Sequence, residues 1–110
     1  MSKILFSESL RQWEEGFTLA KQANEWLPEV LGQTTLDVEG EWGRDKDEHG
    51  DPIVTLRLRD RDSIGEVIGK LGPDDLRSPN RTSFRMYRLM GNLLRVHMDV
   101  LYRDLQSMEY

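Results

Sequence analysis

The chain has 110 residues and no cysteine, and its 15 basic and 20 acidic side chains give a net charge of −5. This length fits a single domain over 1–110 with one core, and the lack of cysteine excludes disulfides, thiolate nucleophiles and cysteine-ligated zinc. No apolar run approaches the ~20 residues of a membrane span or resembles a signal peptide, so we expect a cytoplasmic protein that does not enter a membrane.

The charge is distributed unevenly along the chain. Residues 1–76 hold 17 acidic and 9 basic side chains, whereas residues 77–110 hold 3 acidic and 6 basic ones. The first part therefore carries −8 and the second +3. A positive segment on an acidic protein indicates a surface that meets an anion, either on the protein itself or on a partner.

The first third of the chain predicts a helix that a proline interrupts. Ser9 and Gln12 have the spacing of a capping box, and apolar positions then recur every three or four residues. Pro28 cannot donate an amide to the carbonyl of Asn24, so we expect a kink or a break over 25–27. Asn24 lies in the apolar seam, either as a polar group at a helix interface or as the point where water reaches the broken helix. The seam contains Leu10, Trp13, Phe17, Ala20, Asn24, Leu27 and Leu31.

A β-hairpin is predicted from Leu36 to Arg59. Apolar and polar residues alternate along 36–42 and again along 54–59, as in two strands with one buried face. A three-residue loop over 48–50 closes the hairpin if Gly50 takes the left-handed conformation. A slip of one residue would place acids against leucines, so the register is strongly specified. That register pairs Trp42 with Leu56, Gly40 with Leu58, Glu41 with Arg57 and Glu39 with Arg59.

The segment after the hairpin fits either a helix or a strand. Its apolar residues have helical spacing, but Gly65 and Gly69 would each cost about 1 kcal/mol in a two-turn helix. We favour a third strand over 66–71, because a lone hairpin is marginal in water whereas three strands with helices on one face are stable. Residues 72–75 are then predicted to form a turn, which Leu76 attaches to the core.

The last element is predicted to be a long helix over about 82–107, capped by Asn80, Thr82 or Ser83. Its apolar residues cover an arc of about 160°, which is wider than one contact with a sheet requires. We therefore expect a further covering surface, either the first helix or a second copy of the chain. The arc contains Met86, Tyr87, Met90, Leu93, Leu94, His97, Met98, Val100, Leu101, Leu105 and Met108.

Five arginines surround the start of this helix, and no acid occurs over 76–98. They are Arg77, Arg81, Arg85, Arg88 and Arg95. The last four lie within about 80° of one another on a helical wheel. Cations at a helix N-terminus oppose its dipole, so a compensating anion is expected. The candidates are acids of the chain itself, an acidic partner, or a phosphate backbone, which the overall acidity disfavours. The internal candidates are Glu14, Glu15, Asp74 and Asp75.

The hairpin tip imitates the start of a calcium-binding loop. Residues 45–50 place oxygen ligands first and third and a glycine sixth. The pattern then fails, because His49 stands fifth and Leu56 stands where a bidentate glutamate is needed. We interpret the tip as a solvated polar loop and predict no dedicated metal site.

His97 lies near the centre of the apolar arc, where a charge is costly. We interpret it as a neutral histidine that is hydrogen-bonded in the core or at a helix interface. A catalytic role would require a carboxylate or a nucleophile nearby, but Asp99 and Asp104 lie elsewhere on the helical wheel. No serine occupies a nucleophile elbow, and the glycines form no phosphate-binding fingerprint.

These patterns together predict an α+β fold. It has an N-terminal helix, an antiparallel meander of two or three strands, and a long C-terminal helix packed on one face of the sheet. The leading hypothesis for function is a non-enzymatic interaction module without a cofactor, which self-associates and engages an acidic partner through its arginines. The alternatives are a nucleic-acid-binding protein that contacts the phosphate backbone and, less favoured, a small hydrolase or nuclease that uses His97.

Overall fold

The computed structural model describes residues 3–32, 37–61 and 65–108. The strands in these ranges form one four-stranded sheet in the order β1-β2-β3-β4. In chain order the elements are β1 (Lys3–Phe6), α1 (Glu8–Arg11), α2 (Glu14–Asn24), α3 (Leu27–Leu31), β2 (Val38–Lys46), β3 (Pro52–Asp60), β4 (Glu66–Leu71), α4 (Pro73–Arg77) and α5 (Pro79–Met108).

The α+β class is confirmed, but β1 corrects the predicted meander of two or three antiparallel strands. β1 pairs in parallel with β2, where Phe6 lies opposite Trp42, and the other two pairings are antiparallel. A parallel neighbour requires a crossover connection, which α1, α2 and α3 supply. The sheet is therefore mixed. Local patterning could not indicate β1, because the strand is short and its partner is distant in the chain.

The β2–β3 hairpin has the predicted register, which includes Trp42 opposite Leu56 and Glu41 opposite Arg57. Gly50 has a φ of +83°, and its amide donates a hydrogen bond to the Asp47 carbonyl at 3.0 Å. The Asp47 carboxylate accepts hydrogen bonds from the amides of His49 at 2.8 Å and Asp51 at 2.9 Å. The predicted left-handed glycine and loop are thus confirmed. The predicted first residue of the hairpin, Leu36, lies outside the described residues.

The outer face of the sheet is ionic, as the alternation predicts. Arg57 of β3 reaches Glu41 of β2 at 4.0 Å and Glu66 of β4 at 3.4 Å. Glu39 lies opposite Arg59 in the register, but its ion pair forms with Arg61 at 3.4 Å. The predicted third strand is confirmed over Glu66–Leu71 and places another acid in this network.

The inner face of the sheet forms the core with the helices. Trp42 is fully buried there, and its indole Nε1 donates a hydrogen bond to Oδ1 of Asn24 at 3.0 Å. Asn24 therefore meets a strand and not another helix, because its polar group lies between α2 and the sheet. A buried indole N–H without an acceptor would be costly, so this bond fixes where α2 docks.

The N-terminal helical region differs from the prediction, which is one interrupted helix that begins after Ser9. Ser7 is the cap, since its hydroxyl accepts from the Leu10 amide at 3.3 Å, and the region is divided into α1, α2 and α3. Ser7 is the single residue between β1 and α1, whereas Ser9 already lies inside α1. The break over 25–27 is confirmed, because α2 ends at Asn24 and α3 begins at Leu27.

The C-terminal region contains two helices in place of a turn and one helix. The predicted turn over 72–75 is the start of α4, and Leu76 is buried as expected. α5 begins earlier than predicted, and the Ser78 hydroxyl accepts from the Arg81 amide at 3.4 Å. The predicted cap Thr82 is instead buried and donates its hydroxyl to the Asp75 carbonyl at 2.9 Å. Asn80 and Ser83 also lie within α5.

α5 packs with its first half on the sheet, as predicted. It contacts β3, β4, α3 and α4, and its buried side chains extend as far as Leu93. Residues 101–106 are all exposed. The end of this 30-residue helix, from residue 101 onward, therefore extends beyond the body of the protein.

Replacement of Gly50 should test the hairpin turn. We expect Gly50→Val to lower the free energy of unfolding by about 1–3 kcal/mol, because a β-branched residue is strained at positive φ. Glu48→Gln, which changes a charge at the same tip, should change it by less than about 0.5 kcal/mol. Urea unfolding followed by circular dichroism measures both variants, and equal losses would contradict the role of the turn.

Candidate functional site on the C-terminal helix

α5 presents three faces with different chemistry. One face packs on the sheet and the other helices, a second is apolar and exposed, and a third carries arginines. The buried face contains Thr82, Met86, Leu89, Met90 and Leu93. This division explains the wide arc predicted from the sequence, because only part of the arc belongs to the core of the protein itself.

The exposed apolar face, which we name the apolar stripe, runs along nearly the whole helix. Its large members are Phe84, Tyr87, Leu94, Met98, Leu101 and Leu105. Together with Gly91 they are spaced alternately by three and four residues. Phe84 is 66% exposed, and Met98 and Leu105 are each 62% exposed. Of the three N-terminal helices, α3 packs against α5 at the inner edge of the predicted arc. The outer edge of the arc is open in the part of the chain that the structure describes.

Two of the five predicted arginines are neutralised by the chain's own acids. Arg77 belongs to α4 rather than to the long helix, and it forms ion pairs with Glu15 and, at 3.1 Å, with Asp74. Arg85 reaches Asp75 at 3.5 Å. Compensation by the chain's own acids, one of the candidates predicted from the sequence, therefore exists for these two cations.

The remaining three arginines lack this compensation. Arg81, Arg88 and Arg95 are exposed on α5, and no acidic side chain among the described residues lies within ion-pair distance of them. They occupy one side of the helix together with Arg85. The arginine face therefore keeps a net positive charge that can attract an external anion.

The arginine face borders two grooves. The first, which we name the β4 groove, lies between β4 and α5 and has a volume of about 320 Å³. Its floor is apolar, and Lys70, Arg85, Arg88 and Asn92 are among the residues that line it. The second groove, of about 450 Å³, lies beside the start of α5 and is also lined by Arg85 and Arg88, together with Arg81. The helix thus concentrates its cations around concave surface.

The predicted hydrogen bond of His97 is present, and its partner is Asp60. His97 Nδ1 lies 2.5 Å from Oδ2 of Asp60, which ends β3 and is completely buried. Asp60 lies on another element, distant in the chain, so the helical wheel of α5 does not indicate this carboxylate. Within the described ranges, His97 makes no hydrogen bond to a serine, threonine or lysine that could act as a nucleophile.

Two further properties concern metals and membranes. Among the described residues, no three histidine, aspartate or glutamate side chains are grouped so that they could hold a metal ion. None of the helices in these ranges combines the length and the apolar character that a membrane span requires.

Comparison with known proteins gives no assignment. No protein-family model, no curated protein and no solved structure matches the chain.

Removal of the His97 imidazole should reveal whether this contact is structural. We expect His97→Ala to lower the free energy of unfolding by about 2–4 kcal/mol, because it leaves the buried Asp60 carboxyl without this partner. Asp99→Ala, an exposed change on the same helix, should cost less than about 0.5 kcal/mol. Urea unfolding measures both. Unchanged stability of His97→Ala would contradict the structural role and favour the catalytic alternative.

Proposed function

We propose that this protein is a non-enzymatic interaction module, which self-associates through the apolar stripe of α5 and presents its arginine face to an acidic partner. The observation that carries the proposal is the stripe itself. Six large apolar side chains remain exposed along one line of a 30-residue helix. Exposed apolar surface of this extent is typical of a protein–protein contact.

The spacing of the stripe supports a second copy of the chain as the partner on this face. Alternation of three and four residues is the heptad pattern that lets two helices pack along a common seam. The pattern is also symmetric about Val96. In an antiparallel pair, Leu94 would face Met98 of the second copy, and Tyr87 would face its Leu105.

The charges along α5 favour the antiparallel orientation. Residues 79–98 contain four arginines and no acid, whereas 99–108 contain Asp99, Arg103 and Asp104. Antiparallel packing places the positive half of one helix beside the acidic half of the other and also opposes the helix dipoles. One contact opposes the antiparallel orientation, because the two Arg95 side chains carry the same charge and would lie close to each other at the two-fold axis.

The arginine face is proposed to meet an acidic protein rather than nucleic acid. Arg81, Arg88 and Arg95 have no ion-pair partner among the described residues, so an external carboxylate would gain charge-assisted hydrogen bonds there. A nucleic-acid backbone would approach a protein whose net charge is −5. Long-range repulsion therefore opposes that alternative.

Charges introduced into the stripe should abolish self-association. In sedimentation velocity we expect the wild-type chain to form a dimer and the double variant Met98→Glu/Leu101→Glu to weaken it at least about 100-fold, because each buried charge occurs twice in the pair. Asn92→Glu/Gln106→Glu adds the same charges to α5 outside the stripe and should leave the dimer intact. A wild-type protein that stays monomeric at about 1 mM would overturn self-association.

The orientation can be measured separately, since the chain has no cysteine and a single introduced one is labelled uniquely. Spin labels on Gln106→Cys should lie about 30 Å apart along the axis in the antiparallel pair, given the rise of 1.5 Å per residue. In a parallel pair the two labels would lie side by side. A short distance would therefore exclude the antiparallel arrangement.

Salt dependence should separate an acidic protein partner from nucleic acid. We expect a labelled single-stranded DNA 20-mer to bind no more tightly than about 10⁻⁴ M, even in 50 mM salt. Fluorescence anisotropy provides the measurement. Micromolar binding that collapses by about 200 mM salt would contradict the proposal if it depends on the arginine face. In that case Arg81→Glu/Arg88→Glu removes the binding, whereas Arg11→Glu/Lys21→Glu, which makes the same charge change elsewhere, leaves it intact.

A further inference from the structure

The outer edge of β4 is an open edge of the sheet. β3 pairs with one side of β4, and no strand among the described residues pairs with the other. The Asp60 amide donates to the Gly65 carbonyl at 2.8 Å, which fixes the alternation of the β3–β4 ladder. Every second residue from Gly65 onward therefore bonds to β3. The backbone groups that point outward belong to Glu66, Ile68 and Lys70.

This edge can accept another strand. The segment 66–71 contains no proline, and its central residue, Ile68, is 52% exposed. No hydrogen bond from a described residue occupies the outward amides of Ile68 and Lys70. An extended chain laid along β4 would satisfy these groups, which is how strand addition gains its affinity.

α5 lies close beside the same edge and forms the β4 groove with it. Gly69 allows this approach, because a Cβ at that position would lie 3.2 Å from Cδ2 of Leu89. The groove has an apolar floor that includes Leu56 and Met86, and its rim includes Arg85 and Arg88. A strand added to β4 would therefore run past the arginine face of α5.

We propose that the β4 edge and the β4 groove bind an extended acidic peptide segment of a partner protein by strand addition. Side chains of the added strand alternate between the two faces of the sheet. Those on the side of α5 would meet Arg88, which has no ion-pair partner among the described residues, so carboxylates fit there. Those on the outer side would lie next to Ile68, which favours apolar residues. The best ligand thus alternates acidic and apolar residues.

Charge explains why the occupant is an acidic peptide and not β4 of a second copy. Pairing β4 with its own copy would bring two arginine faces towards each other across the new edge, which like charges oppose. Lys70 on the edge adds to this effect. Nucleic acid would satisfy the arginines but has no peptide groups to continue the ladder.

The inference rests on the acidic-partner part of the proposed function, and its test distinguishes the two. The probe is a dye-labelled, N-acetylated heptapeptide of alternating glutamate and valine that begins and ends with glutamate, and its binding is measured by fluorescence anisotropy. There are two kinds of control peptide. The first kind carries glutamine in place of glutamate, and the second kind carries N-methyl groups on alternate amides and is made in both of the two phases. The first removes the charge, and the second removes the ladder hydrogen bonds without altering the protein.

Two pairs of protein variants complete the test. Arg88→Glu should weaken binding of the probe at least about tenfold, and Arg11→Glu, with the same change of net charge, should leave it within about twofold. Ile68→Pro should also weaken it at least about tenfold, since proline removes an outward amide, whereas Ile68→Ala should weaken it by less than about threefold. Circular dichroism shows whether Ile68→Pro is folded.

The outcomes separate the hypotheses. Loss of binding in Arg88→Glu, with the N-methylated peptides binding as well as the parent, would overturn strand addition but retain an acidic partner. Absence of binding by the glutamate peptide, or equal binding by the glutamine peptide, would overturn the inference and count against an acidic partner on this face. Binding that persists in Met98→Glu/Leu101→Glu would show that the groove acts independently of self-association, as expected.

Discussion

The register between β2 and β3 is the constraint on which the remaining structure depends. It directs Trp42, Leu56 and Leu58 to one face of the sheet and the charged residues to the other. β1 and β4 then add to the two sides of this hairpin, and α5 packs on its apolar face. Because side chains alternate along a strand, a shift of one residue would bury the ion pairs and expose the core. The position of every candidate surface follows from this pairing.

Features set by local chemistry could be predicted from the sequence. The left-handed Gly50, the strand over Glu66–Leu71 and the break before Pro28 each follow from residues close together in the chain. Features set by distant residues could not. β1 depends on a partner beyond three helices, and the Asp60–His97 contact joins two elements whose approach only the fold determines.

The same difference between local and distant residues applies to the candidate surfaces. The cluster of arginines is visible in the sequence, but which of them remain uncompensated depends on α2 and α4, whose acids reach Arg77 and Arg85. The apolar stripe was concealed because its heptad spacing overlaps the wider arc that also faces the core. It becomes visible in the sequence only when the apolar residues with heptad spacing are distinguished from those that face the core. The groove beside β4 had no sequence signal, since it combines a strand edge with the side of a helix.

The projecting end of α5 links local order to assembly. Residues 101–106 are all exposed, and a helical segment that packs on nothing is only marginally stable in water. In a monomer these turns would fray, whereas a second copy packed against them would keep them helical. Winding of the helix end and encounter with that neighbour would then be one coupled equilibrium, so the concentration of the protein would set how much of its own backbone is ordered.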